Sequence, residues 1–407
     1  MSVDRPPSAG PNWARVQTVA LLVAAAGAVV FLVLPFTPLV GPHSLARAAT
    51  AYLVAFHFCL AIPLGCLVVL MMQYLTGGAW GVLLRPVLEQ GLGTLWLVGL
   101  MFLPVAGSLF LGSESPYPWA RPLDQVATGN VLDELREKTW LLNPPFVLGR
   151  AVVYFAIWLV MAYRLPAWSA KWRAGDAAAG RRLVAHSGPG LILYAVTITF
   201  AAIDWVMSLE PFWRSSIYPP IYALGQVIAG FAVAIATVVL LSPYPPLAGR
   251  VSPKLRRDLG GLLLAFVMLW AYCAFSQFLL VWVGNLPEEA PYYLKRMRGG
   301  WEWIGVALIV LHFATPFVLL LFRDVKETAP SLLWVALGLL AMRAVDVFWW
   351  IEAAFPHGGE PLFWLEDVAA VLALGGVWLW RYVGALSRGP LDPAHGVGQC
   401  EPEEARA

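Results

Sequence analysis

Arg343 and Asp346 lie three residues apart in a stretch that is otherwise apolar. Ionisable side chains are costly in hydrocarbon, so they tend to pair, to face a wet interior, or to move protons. Residues three apart share a helix face and can meet as an ion pair, and a purely structural pair is one account of these two. Asp204 has no such neighbour within its own apolar run, and Arg150, in the run before it, is the candidate partner. Paired, Asp204 is a fixed charge; unpaired, it is a place where a proton can come and go near neutral pH. Glu210 follows Asp204 by six residues and Glu352 follows Asp346 by six, in the matching contexts Ala202-Ile203-Asp204 and Ala344-Val345-Asp346. Glu366 and Asp367 open one further apolar run. Together these residues are candidates for a proton path or for hydrogen bonds to a quinone.

His57 and His312 are the two histidines within apolar runs. A b-type haem needs axial ligands facing across a bundle. These two fall in different helix groups and are expected at different depths, so packing is the simpler role, with a proton relay open to His57. Gln277 can hydrogen-bond a quinone carbonyl or bridge two helices. Trp349 and Trp350 stand close to Asp346 in sequence, but aromatic belts account for most of the 20 Trp and 20 Phe without a ligand.

Other chemistries have no motif here. Cys59, Cys66, Cys273 and Cys400 show neither CxxC nor CxxCH spacing, which argues against an iron–sulfur cluster, a c-type haem or a disulfide framework. HExxH, GxSxG and phosphate-binding glycine loops are absent. No cofactor is therefore expected to be held by this chain beyond a quinone or quinol, and no metal.

The elements that position these residues follow from composition. The 407 residues are 59% hydrophobic and 13% charged, with a net charge of +2, which gives no basic surface for nucleic acid. Windows of roughly 20 apolar residues predict an all-α membrane protein of ten helices: Val16–Phe36, Ala49–Leu75, Val87–Leu111, Phe146–Leu165, Pro189–Leu209, Ile221–Ser242, Leu259–Val283, Trp301–Phe322, Ser331–Phe355 and Phe363–Leu386. The runs are continuously apolar, without the alternation of barrel strands. Residues 1–15 and 387–407 are expected as tails flanking a membrane domain over 16–386. The echo around Asp204 and Asp346 suggests a repeat of four-helix bundles over 49–209 and 221–355, with the first and tenth helices outside. The connections 112–145 and 284–300 are long and polar, as docking surfaces or solvated linkers are.

Several stretches resemble the F subunit of alternative complex III, a bacterial quinol:cytochrome c oxidoreductase. They are LTGGAWGVLLRP (Leu75 to Pro86), LNPPFVLGRAVVYFAIW (Leu142 to Trp158), AIDWVMSLEPFWRSSIY (Ala202 to Tyr218) and AYCAFSQFLLVWVGNLPEEAPYY (Ala271 to Tyr293). The resemblance spans most of the chain, and the DWVMSLEPFW and FSQFLLVWVGNLPEE runs are the more specific. It implies a ten-helix plan similar to polysulfide-reductase membrane subunits and a related membrane subunit as partner. It also implies that c-type haems and iron–sulfur clusters reside in periplasmic partner subunits, and that this subunit serves quinone interaction, proton conduction or scaffolding. The related pattern often has His where this chain reads Phe212, so no role carries over to that position.

The leading expectation is thus an oxidoreductase-complex subunit that is not redox-catalytic alone. A secondary transporter is the rival, because repeats and intramembrane charges mark those as well. Most Lys and Arg of the connections fall on the side that would hold both termini, including Arg173, Arg181, Arg182, Arg256 and Arg257. The positive-inside rule then places both termini in the cytoplasm of a bacterial inner membrane. A cysteine introduced between 243 and 258 should be protected from an impermeant maleimide added to spheroplasts, and one between 284 and 300 should react; the opposite pattern inverts this topology.

Overall fold

The computed structural model describes residues 10–37, 45–122, 126, 130–355 and 364–391. Most of both tails, Asp124, Cys400 and the expected helix start at Phe363 lie outside the described residues. Among the described residues there are ten helices long and apolar enough to cross a membrane and no strand. They are α1 (Trp13–Phe36), α2 (Ala46–Thr76), α3 (Ala79–Ser108), α4 (Pro144–Arg173), α5 (Ala177–Leu209), α6 (Tyr218–Leu241), α7 (Pro253–Gly284), α8 (Trp301–Leu321), α9 (Ala329–Glu352) and α10 (Trp364–Arg388). An even number of crossings puts the start of α1 and the end of α10 on one face, here the termini face; the end of α3 and the start of α4 lie on the other, the long-loop face.

Side chains set the helix starts. Asn12, Asn143 and Ser252 each accept a hydrogen bond from a backbone N–H of the first turn of α1, α4 and α7, and proline occupies the first turn of the latter two. The largest departure from the sequence-based bounds is at α4 and α5. What reads as a linker from 166 to 188 consists of two helix extensions joined by a tight turn. Pro166 and Pro189 sit inside those helices without ending them, and Asp176 caps α5 through the N–H groups of Ala178 and Ala179. Proline is tolerated where neighbouring groups satisfy the freed backbone.

Two helices form the axis of the molecule. The apolar windows of α2 and α6 are 94% and 89% buried, whereas those of α7 and α8 are 22% buried and face outward. Their contact is close because both are glycine at the crossing. A Cβ on Gly65 would overlap the Gln226 carbonyl, and one on Gly230 would stand 2.7 Å from the Gly65 Cα. Small residues let helices approach where no hydrophobic force drives them together. Around this axis α2 packs on α3 and α5, α6 packs on α7 and α9, and the pairs α4 with α5 and α8 with α9 close each group. The packing pattern of α2–α5 is thereby repeated by α6–α9, while α1 and α10 run together outside and lean on α2 through α10.

The polar connections on the long-loop face are folded down onto the bundle. Tyr117, Trp119, Leu135 and Leu142 are buried, and the Tyr117 hydroxyl donates to the Trp205 carbonyl at 3.1 Å. Leu at Gly230 should cost at least about 1–3 kcal/mol through overpacking. It should lower the unfolding temperature in detergent, while Leu at the open, outward-facing Gly107 should not. Equal melting of the two variants would refute the axial crossing.

Candidate functional site

Arg343 is the hub of the interior. It is fully buried on α9, paired with Asp346 one turn along the same helix, and its guanidinium lies 5.0 Å from the Trp350 ring. Room for it exists because α6 has Gly225 opposite, where any Cβ would collide with the guanidinium. Arg343 lies nine residues from the end of α9 at Glu352, roughly 13 Å at a rise of 1.5 Å per residue. It therefore lies a little past mid-helix, on the long-loop side.

Polar groups from several other helices surround this hub. His57 Nδ1 on α2 is 2.8 Å from the Tyr222 hydroxyl on α6, and the Tyr194 hydroxyl on α5 donates to Gln226 at 2.7 Å. Arg343 is within electrostatic reach of both His57 and His312. The two histidines each stand 11 residues into their spans, counted from Ala46 and Trp301. The expectation of different depths is thus corrected: α2 begins earlier than its apolar window suggests, and both rings lie near the same level.

Many of these groups keep bonding capacity to spare. His57 Nε2, both ring nitrogens of His312, Gln226 Nε2, Arg343 Nε and Nη2, and Asp346 Oδ1 are buried without a hydrogen-bond partner in the chain. Buried polar atoms in native proteins are nearly always satisfied, by water or ligand where protein does not serve. A cluster of this kind at mid-helix is therefore suited to hold water or an exchangeable proton. His312 lies in a π-helical stretch, Leu308–Ala314, with its ring 4.3 Å from that of Trp270; such widened turns recur at functional sites.

From the hub, ionisable groups lead to the long-loop face. Asp346 is within electrostatic reach of Tyr218 and Tyr292. Arg296 donates to the carbonyls of Tyr292 and Trp350 at 3.0 Å each and pairs with Glu210 at 2.7 Å. Glu210 also meets the half-exposed Lys295 at 3.3 Å. Burial alone would lower the pKa of the Arg296 guanidinium, but Tyr292 and Glu210 outweigh it and hold that pKa above its ordinary value. Toward the termini face the pattern stops. Leu60, Leu64 and Leu67 of α2 and Ile228, Phe231 and Ile235 of α6 are buried and apolar. Beyond them is a separate pair, Glu89 with Arg173 at 2.9 Å, joined by Ser169 and Tyr74.

Two more buried ionic groups flank the hub. Asp204 is held by Arg150 through two bonds of 2.8 and 2.6 Å and by the Tyr154 hydroxyl at 2.8 Å, the partner expected from sequence. At the long-loop ends of α2, α9 and α10, Arg47 pairs with Glu352, with Glu366 at 3.3 Å and with Asp367 at 2.6 Å. Gln277 bonds the Ser215 hydroxyl in the α5–α6 connection rather than facing the hub.

Sequence reasoning paired Asp204 with Arg150 and Asp346 with Arg343 but missed the partners of the other acids. Arg47, Arg173 and Arg296 read as loop charges, yet each supplies the guanidinium to a buried acid. Glu89 passed unnoticed. The available signal was that each lies within a few residues of a span end, where a long side chain can turn inward as easily as outward. Among the described residues no cluster of His, Cys, Asp and Glu could hold a metal ion.

The fold and this interior define a polytopic helical membrane protein with a paired ionic core. No family model matches the chain, and no curated protein does. Arg150→Leu should destabilise the chain by about 3–5 kcal/mol because it strands Asp204. Arg150→Leu with Asp204→Leu should recover most of that loss in thermal unfolding; a double variant as unstable as the single would show that the pair is not the unit that matters.

Proposed function

We propose that this chain is a membrane subunit of a respiratory quinol:cytochrome c oxidoreductase of the alternative complex III kind, and that it handles protons rather than electrons. The observation that carries this reading is the one-sided run of buried ionisable groups. It enters at Lys295 and Glu210, passes Arg296, and ends at the unsatisfied polar centre of Asp346, Arg343 and His57, with an apolar layer beyond. A run that stops mid-helix can load and release protons from one face without leaking them across, as a half-channel must.

In this reading the long-loop face is periplasmic, both termini are cytoplasmic, and the membrane is the bacterial inner one. Quinol oxidation occurs in the assembled complex, where c-type haems and iron–sulfur clusters belong to partner subunits. The motif stretches quoted above support the association. Contact of a quinone headgroup with this subunit is compatible with the free Arg343 and His312 nitrogens. The mid-helix position of Arg343 and the repeated packing groups also suit a secondary transporter, whose sites lie between repeats.

Purification from native membranes in mild detergent should yield the chain together with haem absorbance and quinol:cytochrome c turnover. Asp346→Asn should lower that turnover by roughly tenfold or more, as loss of a proton-transfer group does, with assembly intact on a native gel. A chain that migrates without cytochrome, or that takes up a solute in proteoliposomes unaided, overturns the association; unchanged turnover in Asp346→Asn leaves a scaffold only.

A further inference from the structure

The π-helical turn of α8 has a consequence on the side away from the polar centre. Leu308–Ala314 packs on α9, but after the widened turn the last segment, Thr315–Leu321, leans chiefly on α7. The halves of α8 and α9 nearest the termini face therefore splay apart. Between them is a groove of about 380 Å³, whose lining includes Leu311, Thr315, Leu319, Ser331, Trp334 and Gly338. It opens sideways, where a membrane protein meets lipid tails. Gly338 makes the space: a Cβ there would meet nothing within 4 Å.

The groove's lower end is charged. Val325, which also lines it, belongs to the short helix Arg323–Glu327 that joins α8 to α9. The Arg323 side chain is 70% exposed, and Lys326 lies along α7 at Gly260. Arg256 and Arg257 of α7 reach the same turn through the Glu327 carbonyl and carboxylate. Arg323 itself pairs with Glu327 at 2.8 Å, so four cations share two acids, Asp324 and Glu327, in the turn next to Val325 and the apolar slot. Trp334, 72% exposed on α9, flanks the slot.

We infer that the α8–α9 groove is a binding site for one anionic phospholipid, with an acyl chain along Leu311, Leu319 and Gly338 and the phosphate at Arg323 and Lys326. Charge complementarity selects the occupant. A basic turn continuous with an apolar slot fits a molecule that is anionic at one end and hydrocarbon at the other, as basic pockets between transmembrane helices do. A neutral lipid gains nothing from that turn, and a protein helix is too wide for a slot between two helices of the same chain. The site is separate from the proton run proposed above and stands if that reading fails.

The test uses the whole chain in mild detergent, offered equal amounts of phosphatidylglycerol and phosphatidylcholine and weighed by native mass spectrometry. Wild type should retain one phosphatidylglycerol, favoured at least about tenfold over phosphatidylcholine. Gly338→Leu, whose Cβ enters open space and whose side chain then occupies the slot, should abolish retention of both. Arg323→Gln with Lys326→Gln lies at the surface and should bring the preference close to unity. Equal retention of the two lipids by wild type, retention unchanged in Gly338→Leu, or a preference unchanged in the double variant would each overturn the site.

Discussion

Hydrocarbon leaves no place for a lone charge, and most of the interior of this protein can be understood as the ways in which it meets that constraint. Asp204 is met by Arg150 across two helices, Glu89 by Arg173, Glu210 by Arg296, and Asp346 by Arg343 within one helix. Desolvating an ion costs several kcal/mol, and only a well-placed partner offsets it. Each pair therefore fixes the rotation of the helices that carry it. Glycine does the complementary work: the Gly65–Gly230 crossing brings the axial helices together, and Gly225 leaves room for the Arg343 guanidinium between them. Had α2 and α6 been held apart by larger side chains, His57 and Tyr222 could not meet at 2.8 Å.

How much of this was legible in the sequence depends on the range of the interaction. The ten spans, their order and the pairing of Arg150 with Asp204 follow from hydropathy and from adjacency of consecutive helices. The Arg47 cluster does not, because Arg47 lies 305 residues from Glu352 and no local pattern encodes that approach. Arg296 was hidden for another reason. It belongs to a connection that reads as polar and solvated, but the stacking of Tyr292 on Trp213, with ring centroids 3.8 Å apart, folds the connection inward and buries the guanidinium. Long charged side chains near span ends are where a one-dimensional reading is weakest, since burial there is decided by what the loop packs against.

The repeat read from the short echo at Asp204 and Asp346 has a physical counterpart in the packing, but the two halves use their acids differently. In the first half Asp204 is paired by the next helix and by Tyr154, and its bonding is complete. In the second, Asp346 is paired by its own helix neighbour and keeps one oxygen free, beside an arginine with two free nitrogens. The acids six residues on differ as well: Glu210 meets two cations, whereas Glu352 shares Arg47 with two further acids. A repeated scaffold thus holds Asp204 with both oxygens bonded and Asp346 with one left over.

That asymmetry extends to how acids and guanidiniums are matched in number. Arg150 and Asp204 match one guanidinium to one acid. At Arg47 the arithmetic is reversed. Three carboxyls, Glu352, Glu366 and Asp367, lie against one guanidinium. The cluster joins the ends of α2, α9 and α10, and α9 continues inward from Glu352 to Asp346 and Arg343. Packing at the long-loop face and the geometry of the polar centre are therefore tied through a single helix.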